Sequence, residues 1–355
     1  MTMKKNFIKI FILSCFALVL FGCGQEFDIN QFKTTENTGN VTGDTVYIQL
    51  SPVWEGFNKP TAIMVGREPF IYVCDTGNDR IVMLDVSGKV IGFRSIKQPV
   101  AIAQDYKLNL IICAKFDTTI SGQVKTFSAV YKINMFAGNH NIASAPMKMV
   151  LPGLAELSKP TREYTGVCVF YDNSYYISRK GPNNSSFIDP DNSILVFDGN
   201  DVANGRVPLL EPVGTGLVSA YNINSLTSFN KKNIDFIATY NSNNSFKVQW
   251  LNYVSTTEKS GYESRLSPAS APMMLPNRFG QPYGATVDNS GNIYVADAVK
   301  DSIFKFSASG EELQSFGGPN VFNAPHGVAF FDKTLYVTDT ENNRVLRFVL
   351  STDIR

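Results

Sequence analysis

Histidine is nearly absent: His140 and His326 are the only two in 355 residues. Catalytic zinc takes three protein ligands, and no cysteine stands at a short ligand spacing from either histidine, so zinc chemistry is excluded. Neither sign of charge dominates, with 32 basic and 31 acidic residues, which leaves no field to gather nucleic acid. The chain has no Gly-x-Ser-x-Gly elbow and no Gly-x-x-x-x-Gly-Lys loop, so neither a serine nucleophile nor a phosphate cradle is signalled. Charged residues make up only 18% and aromatic residues as much as 12%, a composition that excludes a mostly disordered chain. Abundant Phe and Tyr favour strands.

The one long apolar run is N-terminal. Lys4, Lys5 and Lys9 precede Ile10 to Phe21, which is followed by Gly22; this is the layout of a secretory signal, and the run is too short to span a bilayer at about 20 residues. Leu20-Phe21-Gly22-Cys23 resembles the lipobox of bacterial lipoproteins, with Phe21 where that family usually has a small residue. The resemblance implies lipidation of Cys23, and Gly24 in place of Asp implies an outer-membrane or cell-surface location, with the periplasmic face as the alternative. Without residues 1–22 the chain keeps 29 basic and 31 acidic residues, a charge of −2. Residues 23–44 are polar and read as a flexible tether. Cys74, Cys113 and Cys168 lie inside apolar runs and read as buried small hydrophobes.

Internal repetition dominates the rest, residues 45–350. Pro60-Thr61-Ala62-Ile63 is followed by Ile71-Tyr72-Val73-Cys74-Asp75 and Arg80-Ile81-Val82-Met83-Leu84. Pro282-Tyr283-Gly284 leads to Asn292-Ile293-Tyr294-Val295-Ala296-Asp297 and Ser302-Ile303-Phe304. Pro325-His326-Gly327 leads to Leu335-Tyr336-Val337-Thr338-Asp339 and Arg344-Val345-Leu346. Each unit reads as a Pro-started strand, a Tyr-containing strand ending in Asp, a turn closed by that Asp bonding the backbone two residues on, and a third strand. Arg80 and Arg344 stand where each can pair with a carboxylate. Weaker copies begin near Pro99, Gly166 and Ser225.

This pattern resembles the NHL repeat. Six units with a fourth strand from each linking segment imply an all-β, six-bladed β-propeller of four-stranded antiparallel blades. Residues 45–50 alternate and have no other employment, so they are expected to pair beside Val345–Val349 and close the ring. Residues 351–355 form a short tail.

The units differ where loops carry function. From the Asp to the third strand is 6 residues in three units, 15 from Arg179 to Ile194, and similarly long from Lys115 to Phe127. One half of that face is expected to be acidic, the other basic and Asn-rich. Lys115, Arg179, Lys180 and Tyr240 are the candidate partner-binding residues, with His326 directed at the central funnel; the alternative is solvated loops of decayed repeats. The expected function is non-catalytic binding of a protein or glycan in the cell envelope, with no cofactor. Regucalcin-like propellers supply the alternative, a calcium-dependent lactonase or hydrolase with Glu, Asn and Asp at the funnel centre.

Overall fold

The computed structural model describes residues 46–353 apart from 230, 242 and 243; the signal, the lipobox, Cys23 and the whole of the tether lie outside the described residues. Six four-stranded antiparallel sheets follow one another along the chain. Blade one is β2 (Pro60–Val65), β3 (Ile71–Asp75), β4 (Arg80–Leu84) and β5 (Val90–Ser95). Blade two is β6 (Lys97–Gln104), β7 (Asn109–Ile120), β8 (Gln123–Asn134) and β9 (Met147–Leu151). Blade three is β10 (Glu163–Val169), β11 (Tyr175–Lys180), β12 (Ser193–Phe197) and β13 (Ala203–Arg206). Blade four is β14 (Ile223–Ser228), β15 (Phe236–Tyr240), β16 (Val248–Ser255) and β17 (Ser260–Ser264). Blade five is β18 (Pro282–Val287), β19 (Ile293–Asp297), β20 (Ser302–Phe306) and β21 (Glu312–Gly317). Blade six is β22 (Pro325–Phe331), β23 (Thr334–Asp339) and β24 (Arg344–Leu350), completed on its outer side by β1 (Tyr47–Gln49).

The expected closure is present. β1 pairs with β24 from Tyr47↔Leu350 to Gln49↔Phe348, and the Tyr47 ring stacks on Phe316 at 4.3 Å. A second contact follows, because Trp54 and Val345 exchange backbone hydrogen bonds of 3.1 and 2.9 Å.

There is no single core; instead, six apolar clusters fill the six interfaces between adjacent blades. Strand alternation explains the arrangement, since successive side chains point to opposite faces of a sheet. On β3, Ile71 and Val73 join the cluster shared with blade six, while Tyr72 and Cys74 join the cluster shared with blade two. A middle strand covered on both faces therefore reads as a continuous apolar run. The thiols of Cys74, Cys113 and Cys168 are free and buried, and burial pushes each well above its ordinary pKa.

The six first strands converge on the axis with small residues: Ala62, Ala101, Gly166, Ser225, Gly284 and Gly327. A Cβ on Gly327 would stand 2.8 Å from the Ala62 Cα, and one on Gly284 would stand 2.6 Å from the His326 carbonyl oxygen. Glycine is required there for backbone approach.

The repeat's Asp makes the expected bond to the backbone two residues on only in blade five; its shared task is a different one. In blade one, Asp75 is fully buried; its Oδ1 accepts the Asn58 N–H at 2.7 Å, and its Oδ2 accepts Arg80 Nε at 2.7 Å. Asp339 repeats this with Asn323 and Arg344. Asp297 takes the Gly280 and Gln281 N–H groups and also the Val299 N–H two residues on. Each carboxylate thus pins the loop entering its own blade. All three are fully buried, so they do not form the acidic half of a surface.

Candidate functional site

The strand directions define two faces. Each first strand begins at the upper face, where the loops between second and third strands also lie; the other two connections of each blade lie on the lower face. A cavity of about 280 Å³ occupies the axis, lined by residues of all six first strands. Lys115, Glu163, Lys180, Gln98, Tyr283 and His326 line it, together with a more apolar set that includes Ile63, Ile102, Val167 and Val328.

Lys180 faces Glu163 across the β10–β11 pair, with Nζ 3.2 Å from the carboxylate. His326 stacks on Tyr283 at 3.8 Å between ring centres. Burial pushes its imidazole down to about 4, against a small opposing pull from Glu341, so the ring is neutral at physiological pH.

Arg179 and Tyr240 have other duties. Tyr240 is fully buried and donates to the Ser219 carbonyl at 2.8 Å; burial raises its phenol well above the usual range. Arg179 is 3% exposed. Its guanidinium donates to the Asp191 and Pro190 carbonyls, to Glu156 Oε1 at 3.0 Å and to Asp189 Oδ1 at 2.7 Å. Arg162 lies beside it, bonded to Asp191 Oδ1 at 2.7 Å and Asp189 Oδ2 at 2.8 Å. Neither guanidinium is offered to a ligand, because buried cations persist only when paired.

This cluster is the repeat's pin with its charges exchanged. Where blades one, five and six hold an Asp at the end of the second strand, blade three holds Arg179, and the acids sit in the loops it must hold. Glu156 lies in the 3-10 turn Leu154–Ser158 before the blade, and Asp189 and Asp191 lie in the long loop after β11. Burial would raise the Asp189 carboxyl, but hydrogen bonds from Lys159, Arg162 and Arg179 outweigh it and hold the group well below its usual range. The braced loops carry apolar side chains outward: Leu154 and Phe187 are each 90% exposed and Ile188 is 86% exposed. Arg206 also bonds the Phe187 carbonyl at 2.7 Å.

The stretch from Lys115 to Phe127 is not a loop. β7 and β8, of twelve residues each, run on as one hairpin, turning at Ser121 and Gly122, both with positive φ, the backbone of a two-residue primed turn. Past Lys115 only the two strands pair with each other, so five more residues project roughly 17 Å at the usual strand rise.

The cavity does not suit calcium. Calcium needs six or more oxygen ligands, several of them carboxylates, and the lining supplies a single carboxylate, Glu163, already facing Lys180. Among the described residues, no three His, Cys, Asp or Glu side chains gather as a metal would require.

Sequence reasoning overlooked Glu163, Gln98 and Tyr283 in the cavity, and Glu156, Asp189 and Asp191 in the braced loops. The available signal was Asp189-Pro190-Asp191 beside an arginine that replaces the repeat's acid.

Residues 322–348 match the NHL repeat. NHL repeat-containing protein 2 of Gallus gallus is 31% identical over 105 residues, a stretch that spans 26% of this chain and 13% of that protein. Among solved structures, a gluconolactonase from Xanthomonas campestris superposes with a TM-score of 0.59 at 11% identity, over 87% of this chain and 90% of that one. A calcium-binding regucalcin from Agrobacterium tumefaciens gives 0.55 at 10% identity, over 82% and 90%. A luciferin-regenerating enzyme gives 0.58 at 14% identity, over 86% and 95%. At these identities the likeness is one of fold: a six-bladed β-propeller, in which residues 322–348 match the NHL repeat.

Proposed function

We propose that this chain is an exported lipoprotein, anchored through Cys23, whose propeller is a non-catalytic module that binds a cell-envelope partner on its upper face. The observation that carries the reading is the platform on blade three: Leu154, Phe187 and Ile188 stand almost fully in solvent on loops fixed by two buried guanidiniums. Rigid loops spend little ordering entropy on association, and three large apolar side chains held in solvent on loops that meet at the same guanidiniums are surface for a partner to bury. Of the expected protein and glycan partners, these side chains favour a protein. The lactonase neighbours share the fold, but fold does not carry function, and the cavity lacks a calcium donor set.

The test is made in the native host. Cys23→Ala should release the chain from the membrane fraction. Cross-linking followed by purification should recover a discrete partner with the wild-type chain. Leu154→Asp, Phe187→Asp and Ile188→Asp together should abolish that recovery, whereas Phe136→Asp, on the lower face, should leave it intact. Equal recovery with all three chains would remove the upper-face assignment.

A further inference from the structure

The axial cavity holds a charge that the fold does not use. Lys115 lies directly across from Lys97 in the β6–β7 register, and like charges directly opposite destabilise a sheet. Asp117 is taken up by Lys97, its two oxygens 2.7 and 2.5 Å from Nζ. The Lys115 ammonium has neither an ion pair nor a hydrogen bond among the described residues. Lys180 is offset by Glu163, and the lining therefore carries one ammonium in excess.

Most of the lining's hydroxyls are committed. Thr61 bonds Thr76, Ser225 donates to the Tyr283 carbonyl, and Thr227 donates to the Ala285 carbonyl. The Asn224 amide nitrogen donates to the Pro282 carbonyl at 2.8 Å, which leaves the Asn224 side-chain oxygen, with the Gln98 side-chain amide, for a ligand. The stacked rings of Tyr283 and His326 add a flat wall. At about 280 Å³ the space is just under the roughly 300 Å³ at which drug-sized ligand sites begin, which suits a single sugar ring.

We propose that the axial cavity binds a carboxylated monosaccharide, with its carboxylate at the Lys115 ammonium, its hydroxyls toward Gln98 and Asn224, and its ring against the Tyr283–His326 wall. This ligand is separate from the protein partner of the upper rim.

D-glucuronate is the probe, titrated calorimetrically into the full chain, with D-glucose and inorganic phosphate as comparisons. The expected result is one glucuronate per chain, bound at least about tenfold more tightly than glucose or phosphate, since it alone combines a charge at Lys115 with hydroxyls and a ring face. Lys115→Gln should weaken glucuronate at least about tenfold without lowering the melting temperature, because it relieves the like-charge pair with Lys97. Glu163→Gln should tighten binding by freeing Lys180. The Leu154, Phe187 and Ile188 aspartate variant should bind glucuronate as the wild type does, so the two sites fail independently. No glucuronate binding, equal binding of glucose or phosphate, or binding unchanged by Lys115→Gln would each overturn the proposal.

Discussion

Trp54→Ala is expected to lower the melting temperature by roughly 10 °C, since Trp truncation in a core costs about 3–5 kcal/mol and each kcal/mol moves the midpoint of a domain of this size by roughly 2–4 °C. Trp54 is 4% exposed and packs among Ile71, Val82, Tyr336 and Val345, in the interface where the last blade meets the first. Its ring lies 5.7 Å from Tyr336 and under the Arg347 guanidinium at 4.8 Å. Its backbone pairs with Val345 just beyond the β1–β24 ladder. Losing the ring opens a cavity and loosens the strand that covers β24. An uncovered strand edge templates association, so the variant should also aggregate on partial unfolding. Calorimetry and light scattering on the two chains check both effects; a loss under about 1 kcal/mol, the scale of a surface substitution, would mean that β1 alone closes the ring.

Arg162→Met should cost about 3 kcal/mol, the lower part of the range for breaking a buried ion pair. It strands Asp191, which is 1% exposed and keeps only the Asn183 N–H on its other oxygen at 2.8 Å. Removing both charges is far milder than removing one, so Arg162→Met combined with Asp191→Asn should regain much of the loss in a thermal melt. If the double variant is as unstable as the sum of the singles, the pair is not coupled. The acid limb reports on the same cluster. The Asp189 pKa is depressed in the folded state, so its contribution is fully present above the unfolded value of about 4. That contribution is lost as pH falls through the folded value. The Arg162→Met chain should show a shallower loss of stability below that pH than the wild type.

Blades one, five and six were legible because Pro, Tyr and Asp recur at fixed places, with Arg added in blades one and six, and the Asp pins the entering loop in all three. The middle blades kept the strand pattern but changed the pin. Arg179 stood where the repeat has an acid, so it read as a free cation; its partners Glu156, Asp189 and Asp191 sit in two loops that meet only in the folded state. Tyr240 misled for the same reason of position, occupying the Asp place while packing inside the interface of blades three and four. The long hairpin did leave a trace, since Ser121-Gly122 between alternating residues is a turn signal. The cavity left none beyond Lys115, Lys180 and His326, because its lining comes from residues 61 to 328 and is assembled only when the ring closes.

The direction of β1 has one more consequence. β24 descends from the upper to the lower face, and β1 runs antiparallel to it, so the chain enters the propeller at Val46 on the lower, outer rim of blade six. The mouth of the cavity, the projecting hairpin and the braced loops lie on the face opposite that entry point, so a partner seated on them leaves β1 and its seam with β24 uncovered.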